Sequence, residues 1–319
     1  MSIISQIILT NELPPVEAAH VAPDLLAKKN YHPRDDLISF EEGPHIYTVN
    51  GERGTYMSTT TWIHRHFSHF DADKIIDKIL SGKKWAEDPA YKYYKMTKQE
   101  IKKMWDDNRD AASSAGTNMH YDIECFYNEM DVTNESIEFT YFLEFQKAHS
   151  HLVPYRTEWM VFHEEIKISG SIDMIFENPD GTLQIYDWKR SNEIVKENNF
   201  GESALTHCIR HLPDTNYWHY SLQLNMYKRI LEEKYGKIVT DLFLICLHPN
   251  NSTYLKIEVP VLTKEMDDLF VLRKKEITPK VSTFYKPSCQ VSPPKTVKPP
   301  SSTEKVGKYG GFLGHYDFS

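Results

Sequence analysis

The sequence predicts an α/β or α+β core, with helices flanking a central mixed sheet. Three observations lead there. Apolar and polar residues alternate through 155–162, 166–176 and 183–190, the period-two signature of three consecutive strands. A helix start is marked before them at Thr97 and Glu100, and a helical stretch from 215 to 235 follows. Two more strand patterns, 239–248 and 253–261, and a last helix from Thr263 complete the order of helix, strands, helix, strands.

Each element has a local reason. Residues 1–35 carry no strong pattern and read as an arm. "GPHIYTVNGERGTYMS" reads as a short hairpin turning at Asn50-Gly51, a dipeptide that tolerates the positive φ angles of a tight hairpin turn. Ser58 or a following threonine can cap a helix through "TTWIHRHF". Thr97 and Glu100 form a capping box, with Met96 and Ile101 as the hydrophobic staple around it. That helix runs through Met104 and Trp105 and continues, or restarts near Gly116, toward Tyr127. Asp214 can cap the helix over 215–235, which ends before Gly236. Beyond Lys286 the chain is rich in Pro, Ser and Lys and reads as a flexible tail.

Composition narrows the function. Hydrophobic content of 40% and charged content of 26% over 319 residues are ordinary for a soluble globular protein. A net charge of −8 argues against a general nucleic-acid coat but leaves room for a local basic channel. Between Lys74 and Lys103 there are nine lysines against four acids, interleaved with Trp85, Tyr91, Tyr93 and Tyr94. Cations for phosphates plus aromatic faces for unstacked bases make a single-strand binding surface. The alternative is a solvated helical face whose aromatics turn into the core. Cys125, Cys208, Cys246 and Cys289 are too few and too scattered for a disulfide framework, and no CxxC pair suggests zinc. The short apolar run in "MSIISQIILTNELPP" cannot span a membrane, and no arginine precedes Arg34. The expected setting is intracellular and soluble, in the cytoplasm, the nucleus or a viral replication site, neither secreted nor membrane-bound.

The chemistry concentrates in one hairpin. "GSIDMIFEN" meets "TLQIYDWKR" through "PDG", with Pro179-Asp180 in a type I turn and Gly181 at the left-handed position of a bulge. A three-residue loop closed by Asn178 and Thr182 sets Asp173 opposite Asp187 on the face that also carries Lys189. Facing carboxylates repel unless a cation sits between them, and oxygen ligands suit Mg²⁺ or Mn²⁺. Lys189 could stabilise a pentavalent transition state or help generate the attacking hydroxide. Upstream, "GTNMH" sets His120 on a helix with Glu124 one turn later, and downstream "QLNMY" sets Gln223 and Tyr227 on one helical face.

The order GxxxH, Asp, DxK, QxxxY resembles the RecB-type branch of the PD-(D/E)XK nucleases, over roughly Tyr47 to Pro260. The resemblance implies a restriction-endonuclease-like core. It implies metal ligation by His120, Asp173 and Asp187 with the backbone carbonyl of Trp188, a catalytic Lys189, and active-site roles for Gln223 and Tyr227, with Glu158 as a further acidic candidate. The segments "SSAGTNMHYDIECFYN" and "STTTWI" look most like single-strand DNA exonucleases of this branch, such as the mitochondrial genome-maintenance exonuclease and nucleases of large DNA viruses. The cysteines lack the spacing of the branch's iron–sulfur proteins, so no cluster is expected, and without a Walker A motif no nucleotide is expected either.

The resulting expectation is a Mg²⁺- or Mn²⁺-dependent DNA exonuclease serving replication, recombination or repair. The alternatives are a structure-selective flap or branch endonuclease, or a silent DNA-binding protein of the same fold. The chain divides into an arm (1–35), a helical DNA-binding region (36–115), the nuclease core (116–285) and a tail (286–319) that could bind a protein partner. DNA contacts are expected from Lys83, Lys84, Trp85, Lys92, Tyr93, Lys95, Lys98, Arg190, Ser191 and Tyr227.

Overall fold

Turn chemistry and caps set most of the element boundaries in the computed structural model, which describes residues 22–198 and 201–278. Helix α1 (Leu25–Lys29) leads into a small antiparallel sheet of β1 (Ile38–Glu41), β2 (Ile46–Val49) and β3 (Glu52–Arg53). Asn50 and Gly51 turn β2 into β3 with φ of 52° and 78°, the positive pair that an Asn-Gly turn supplies. Strand β4 (Met57–Ser58) runs into α2 (Thr59–His64), capped by the Ser58 hydroxyl, which accepts from the Thr61 amide.

Two short helices, α3 (Ala72–Leu80) and α4 (Lys83–Glu87), precede the long α5 (Lys98–Tyr127). The Thr97/Glu100 capping box forms in full, and Met96 and Ile101 share one apolar cluster. Helix α5 does not restart at Gly116 but passes unbroken across the expected boundary between 115 and 116. The lysine-rich region and the core are therefore joined by one rigid rod.

After α6 (Ile137–Ala148) come β5 (Val153–His163), β6 (Ile168–Glu177) and β7 (Leu183–Lys189), then α7 (Asn216–Lys234), β8 (Val239–Cys246), β9 (Leu255–Glu258) and α8 (Thr263–Ile277). The six-stranded mixed sheet runs β4-β6-β7-β8-β9, with β5 also paired to β6. Strands β4/β6 and β7/β8 are parallel and the other pairs antiparallel. One apolar cluster packs α2, α7 and α8 on one face, and a second packs α5 and α6 against Met174, Phe176, Tyr186 and Trp188 on the other.

Three expectations need correction. Of the segment read as an arm, residues 1–21 lie outside the described residues, while 22–35 are docked: the Leu26 amide donates to Asn128, and Asp35 accepts from Arg156 and Trp159 on β5. The region over 36–115 is not purely helical, since it carries the three-stranded sheet and β4. Asp214 does not cap α7. Thr215 holds the N-cap position without a side-chain bond, and Asp214 instead accepts from the Ser68 amide and pairs with His219. Gly236 does follow α7 at φ 62°. The tail over 286–319 lies outside the described residues.

Candidate active site

The site opens where two strands separate. The loop between β6 and β7 closes with the Asn178 amide donating to the Thr182 carbonyl at 2.8 Å and with Gly181 at φ 81°, so the hairpin has the three-residue loop its sequence implies. The pairs Glu177↔Leu183 through Met174↔Tyr186 follow that register. The ladder stops there, one residue short of Asp173 and Asp187. One edge of β6 is taken by β5; on the other, β4 pairs at Ile168–Ser169 and β7 only from Met174 onward. In the gap, the Trp188 amide donates to Oδ2 of Asp173 at 2.9 Å. A side-chain carboxylate thus does the work of a ladder carbonyl.

Strand β5 brings the next carboxylate. Thr157↔Met174 and Trp159↔Ile172 are paired, so Glu158 falls across from Asp173. Glu158 has φ 40° in the middle of a strand, a conformation that costs a non-glycine residue about 1–3 kcal/mol. Its carboxylate accepts from the Ser171 hydroxyl at 2.8 Å and lies 3.5 Å from Nδ1 of His120, which is also 3.5 Å from Oδ2 of Asp173. His120, Glu158 and Asp173 each offer one ligand atom within 4.8 Å of the others. One imidazole nitrogen with two carboxylate oxygens, and Asp187 beside them, is a donor set that fits a hard divalent cation.

Asp187 and Lys189 form an ion pair at 2.5 Å with side chains only 3% and 17% exposed. The Asp187 Oδ2 is buried and makes no properly angled hydrogen bond, so the ammonium is its charge partner without fully satisfying it. Lys189 also lies 4.9 Å over the ring of Tyr220.

The electrostatics are those of a crowded anionic site. Burial and then the Asp187 charge push the Asp173 carboxyl well up from its usual range. Burial would lower His120, but the Asp173 and Glu158 carboxylates outweigh it and hold the imidazole at about 9. Burial would raise Glu158, yet its hydrogen bond to His120 and the imidazolium charge bring it down. Glu124, one turn beyond His120, is pushed up to about 7 by burial and by Glu158. Burial alone would lower Lys189, but the two aspartates raise it. In the protein alone, His120⁺ and Lys189⁺ are the cations that offset these carboxylates.

Helix α7 presents Tyr220, Gln223 and Tyr227 along one face. The Gln223 amide donates to the Tyr227 hydroxyl at 3.3 Å. Tyr227 was expected to touch a phosphate, but it is 3% exposed, because its ring packs over Gly170. A Cβ on Gly170 would meet Cε1 and Oη of Tyr227 at 2.7 and 2.8 Å. The glycine is what lets the phenol reach the site.

The expected DNA contacts divide. Lys83 and Lys84 on α4, and Lys92 and Lys95 beyond it, are exposed and have no carboxylate partner among the described residues. Lys98 instead bridges Asp77 and Asp73, and Arg190 is bound to Glu138 at 2.7 Å. The Ser191 hydroxyl donates to the Glu193 carbonyl. Tyr93 is a correction: it is 7% exposed, accepts from Trp105 and packs with Ile76 and Ile101, so its ring is closed to a base. Trp85 is half-buried, with its indole N–H donating to the Met96 carbonyl. The Trp188 ring is buried against Tyr127, Phe142 and Phe145.

Three contributors were not assigned from the sequence. Ser171 could have been found two residues before Asp173, on the same strand face. Tyr220 could have been found one helical turn before Gln223. Tyr47, buried on β2 and raised by burial and then by the Glu158 charge, carries no local signal at all.

Helices on both sides of a mixed sheet, with an acidic cluster and a lysine at the point where two strands part, define a phosphodiesterase-like hydrolase architecture. The chain belongs to the PD-(D/E)XK nuclease superfamily, whose profile matches residues 61–281. Membership implies hydrolysis of nucleic acid, and the superfamily typically works with divalent metal ions. Two solved structures share 12% identity with it. The protein SSO0001 has a TM-score of 0.29, covering 71% of this chain and 78% of its own. A candidate exonuclease from Eubacterium rectale has a TM-score of 0.30, covering 70% and 82%. Likeness at that level is too distant to convey a substrate. No curated protein matches significantly. Among the described residues, no helix is long and apolar enough to cross a membrane.

Proposed function

We propose that the protein is a Mg²⁺- or Mn²⁺-dependent deoxyribonuclease of the RecB-like branch, acting on single-stranded DNA or DNA ends. The observation that carries this is the closure of His120, Glu158 and Asp173 to within 4.8 Å beside the Asp187–Lys189 pair. His120, Glu158, Asp173 and Asp187 would hold the ion, with the Trp188 carbonyl adjoining. A divalent ion there supplies a bound water of lowered pKa and charge for the scissile phosphate.

The remaining work falls to the chain. Lys189, beside Asp187, would neutralise charge developing on the phosphate. Gln223 orients the attacking water, and Tyr227 holds Gln223 by accepting its hydrogen bond. Lys83, Lys84, Lys92 and Lys95 would supply phosphate contacts away from the cleavage point, and the Trp85 and Tyr91 rings near them are the faces that unstacked bases of a single strand would use.

The test is digestion of 5′- and 3′-labelled single-stranded, blunt and flap DNA with Mg²⁺ or Mn²⁺. Metal-dependent shortening from an end is expected. Cuts confined to flap junctions would make the protein a structure-selective endonuclease, and no cutting of any DNA would refute the reading.

A further inference from the structure

Some way from the carboxylates, α3, α4 and the segment at Tyr91 border an open surface hollow of about 340 Å³. Ile79, Trp85 and Tyr91 line it, and Lys78, Lys83 and Lys84 stand at its rim. The lining is mainly apolar. The rim lysines are exposed and have no carboxylate partner among the described residues, whereas Lys98, Lys102 and Lys103 nearby are tied to Asp73, Asp77 and Asp107. In a chain of net charge −8, three uncompensated cations around an aromatic hollow are complementary to a flat apolar ring that carries an anion.

The hollow also has a fixed distance from the site. Its floor belongs to the cluster that packs Ile76, Trp85 and Tyr91 against Ile101 and Trp105 in the first turns of α5. His120 lies on the same unbroken helix. At ~1.5 Å per residue it stands about 22 Å beyond Trp105 along the axis. At the stacked spacing of about 3.4 Å per nucleotide, that distance corresponds to roughly six nucleotides, and to fewer in a stretched strand.

We infer that this hollow is a base seat, in which an unpaired base lies against Trp85 and Tyr91 while its phosphate meets Lys83 and Lys84, about four to six nucleotides from the scissile bond. The inference rests on the nuclease reading and adds a length requirement to it. A duplex cannot use the seat, because its bases are already stacked and paired. An oligonucleotide shorter than the span can occupy the cleavage site or the seat, but not both.

The test is binding of fluorescein-labelled phosphorothioate oligothymidylates of three to twelve nucleotides, whose backbone resists cleavage, read by anisotropy in Mg²⁺ so that the cleavage site can hold its phosphate. Affinity should rise by roughly tenfold over a narrow step at four to seven nucleotides. Lys83→Gln/Lys84→Gln, whose side chains are exposed and leave the core intact, should erase most of the step, so that the longer oligomers bind no more tightly than the trimer. Trp85→Leu should do the same if it folds. A smooth rise with length, or a step that survives in the double lysine variant, overturns the seat and leaves the nuclease reading standing. Absence of binding at every length overturns both the seat and the single-strand reading.

Discussion

The Trp188 amide donates to the Asp173 carboxylate at 2.9 Å, at the point where the ladder between β6 and β7 has ended. This hydrogen bond fixes Asp173 toward His120 and Glu158 and leaves Asp187 to Lys189. Asp173→Asn keeps an acceptor for that amide and removes a like charge. The variant should fold, gain a few degrees in Tm without metal, and lose at least a hundredfold in cleavage rate. Thermal melts in EDTA and single-turnover cleavage check both parts; a variant cleaving at near-normal rate would remove Asp173 from the chemistry.

Lys189 is the counter-charge of a buried carboxylate. Lys189→Ala leaves Asp187 uncompensated, and breaking a buried pair by removing one partner costs about 3–5 kcal/mol. Asp187→Asn/Lys189→Met should recover most of that stability while remaining inactive. Denaturant titrations of the single and double variants in EDTA measure the coupling. An unchanged midpoint for Lys189→Ala would mean that the pair is not what holds Asp187.

The hairpin was legible because its turn is local: Pro179, Asp180 and Gly181 set the loop length, and the loop length sets the register. Glu158 could be named only as an acidic candidate, since nothing in "YRTEWMV" signals that its backbone adopts φ 40°. Helix α6 was not read because it is apolar on most sides, as its position over Phe139, Phe142 and Phe145 in a buried cluster requires. The lysine and aromatic composition of 74–103 did not say which rings face inward. Tyr93 went to the core and Trp85 and Tyr91 to the lining of a surface hollow, a division set by packing on α5.

The pH response of the metal-free protein follows from His120. Its pKa is raised in the folded chain to about 9 by Asp173 and Glu158, above the ~6.5 of an unfolded histidine. That contribution to stability is fully present below about pH 6.5 and is lost as pH rises through about 9. Asp173, pushed up, acts in the same direction, since its ionised form is disfavoured in the fold. In EDTA the Tm should therefore fall by a few degrees between pH 7 and 9.5, and His120→Gln should flatten the decline. A Tm that rises over that interval would show that the imidazolium is not stabilised by these carboxylates.

Gly170 sets the position of Tyr227. Gly170→Ala places a methyl 2.7 Å from its ring, and overpacking of this kind costs about 1–3 kcal/mol. Stability and cleavage rate should both fall, and adding Tyr227→Leu should restore stability but not rate. Full activity in Gly170→Ala would mean that the phenol position is not needed.

Calorimetric titration of Mn²⁺ at pH 8 tests most directly whether His120, Glu158 and Asp173 form one cation site. In buffers of different ionisation enthalpy, the wild-type protein should show saturable binding with release of about one proton, because His120 must give up its proton to become a ligand. Glu158→Gln and Asp173→Asn should each weaken that binding by more than tenfold. Mn²⁺ binding that is unchanged in both variants, or that releases no proton, would contradict the account.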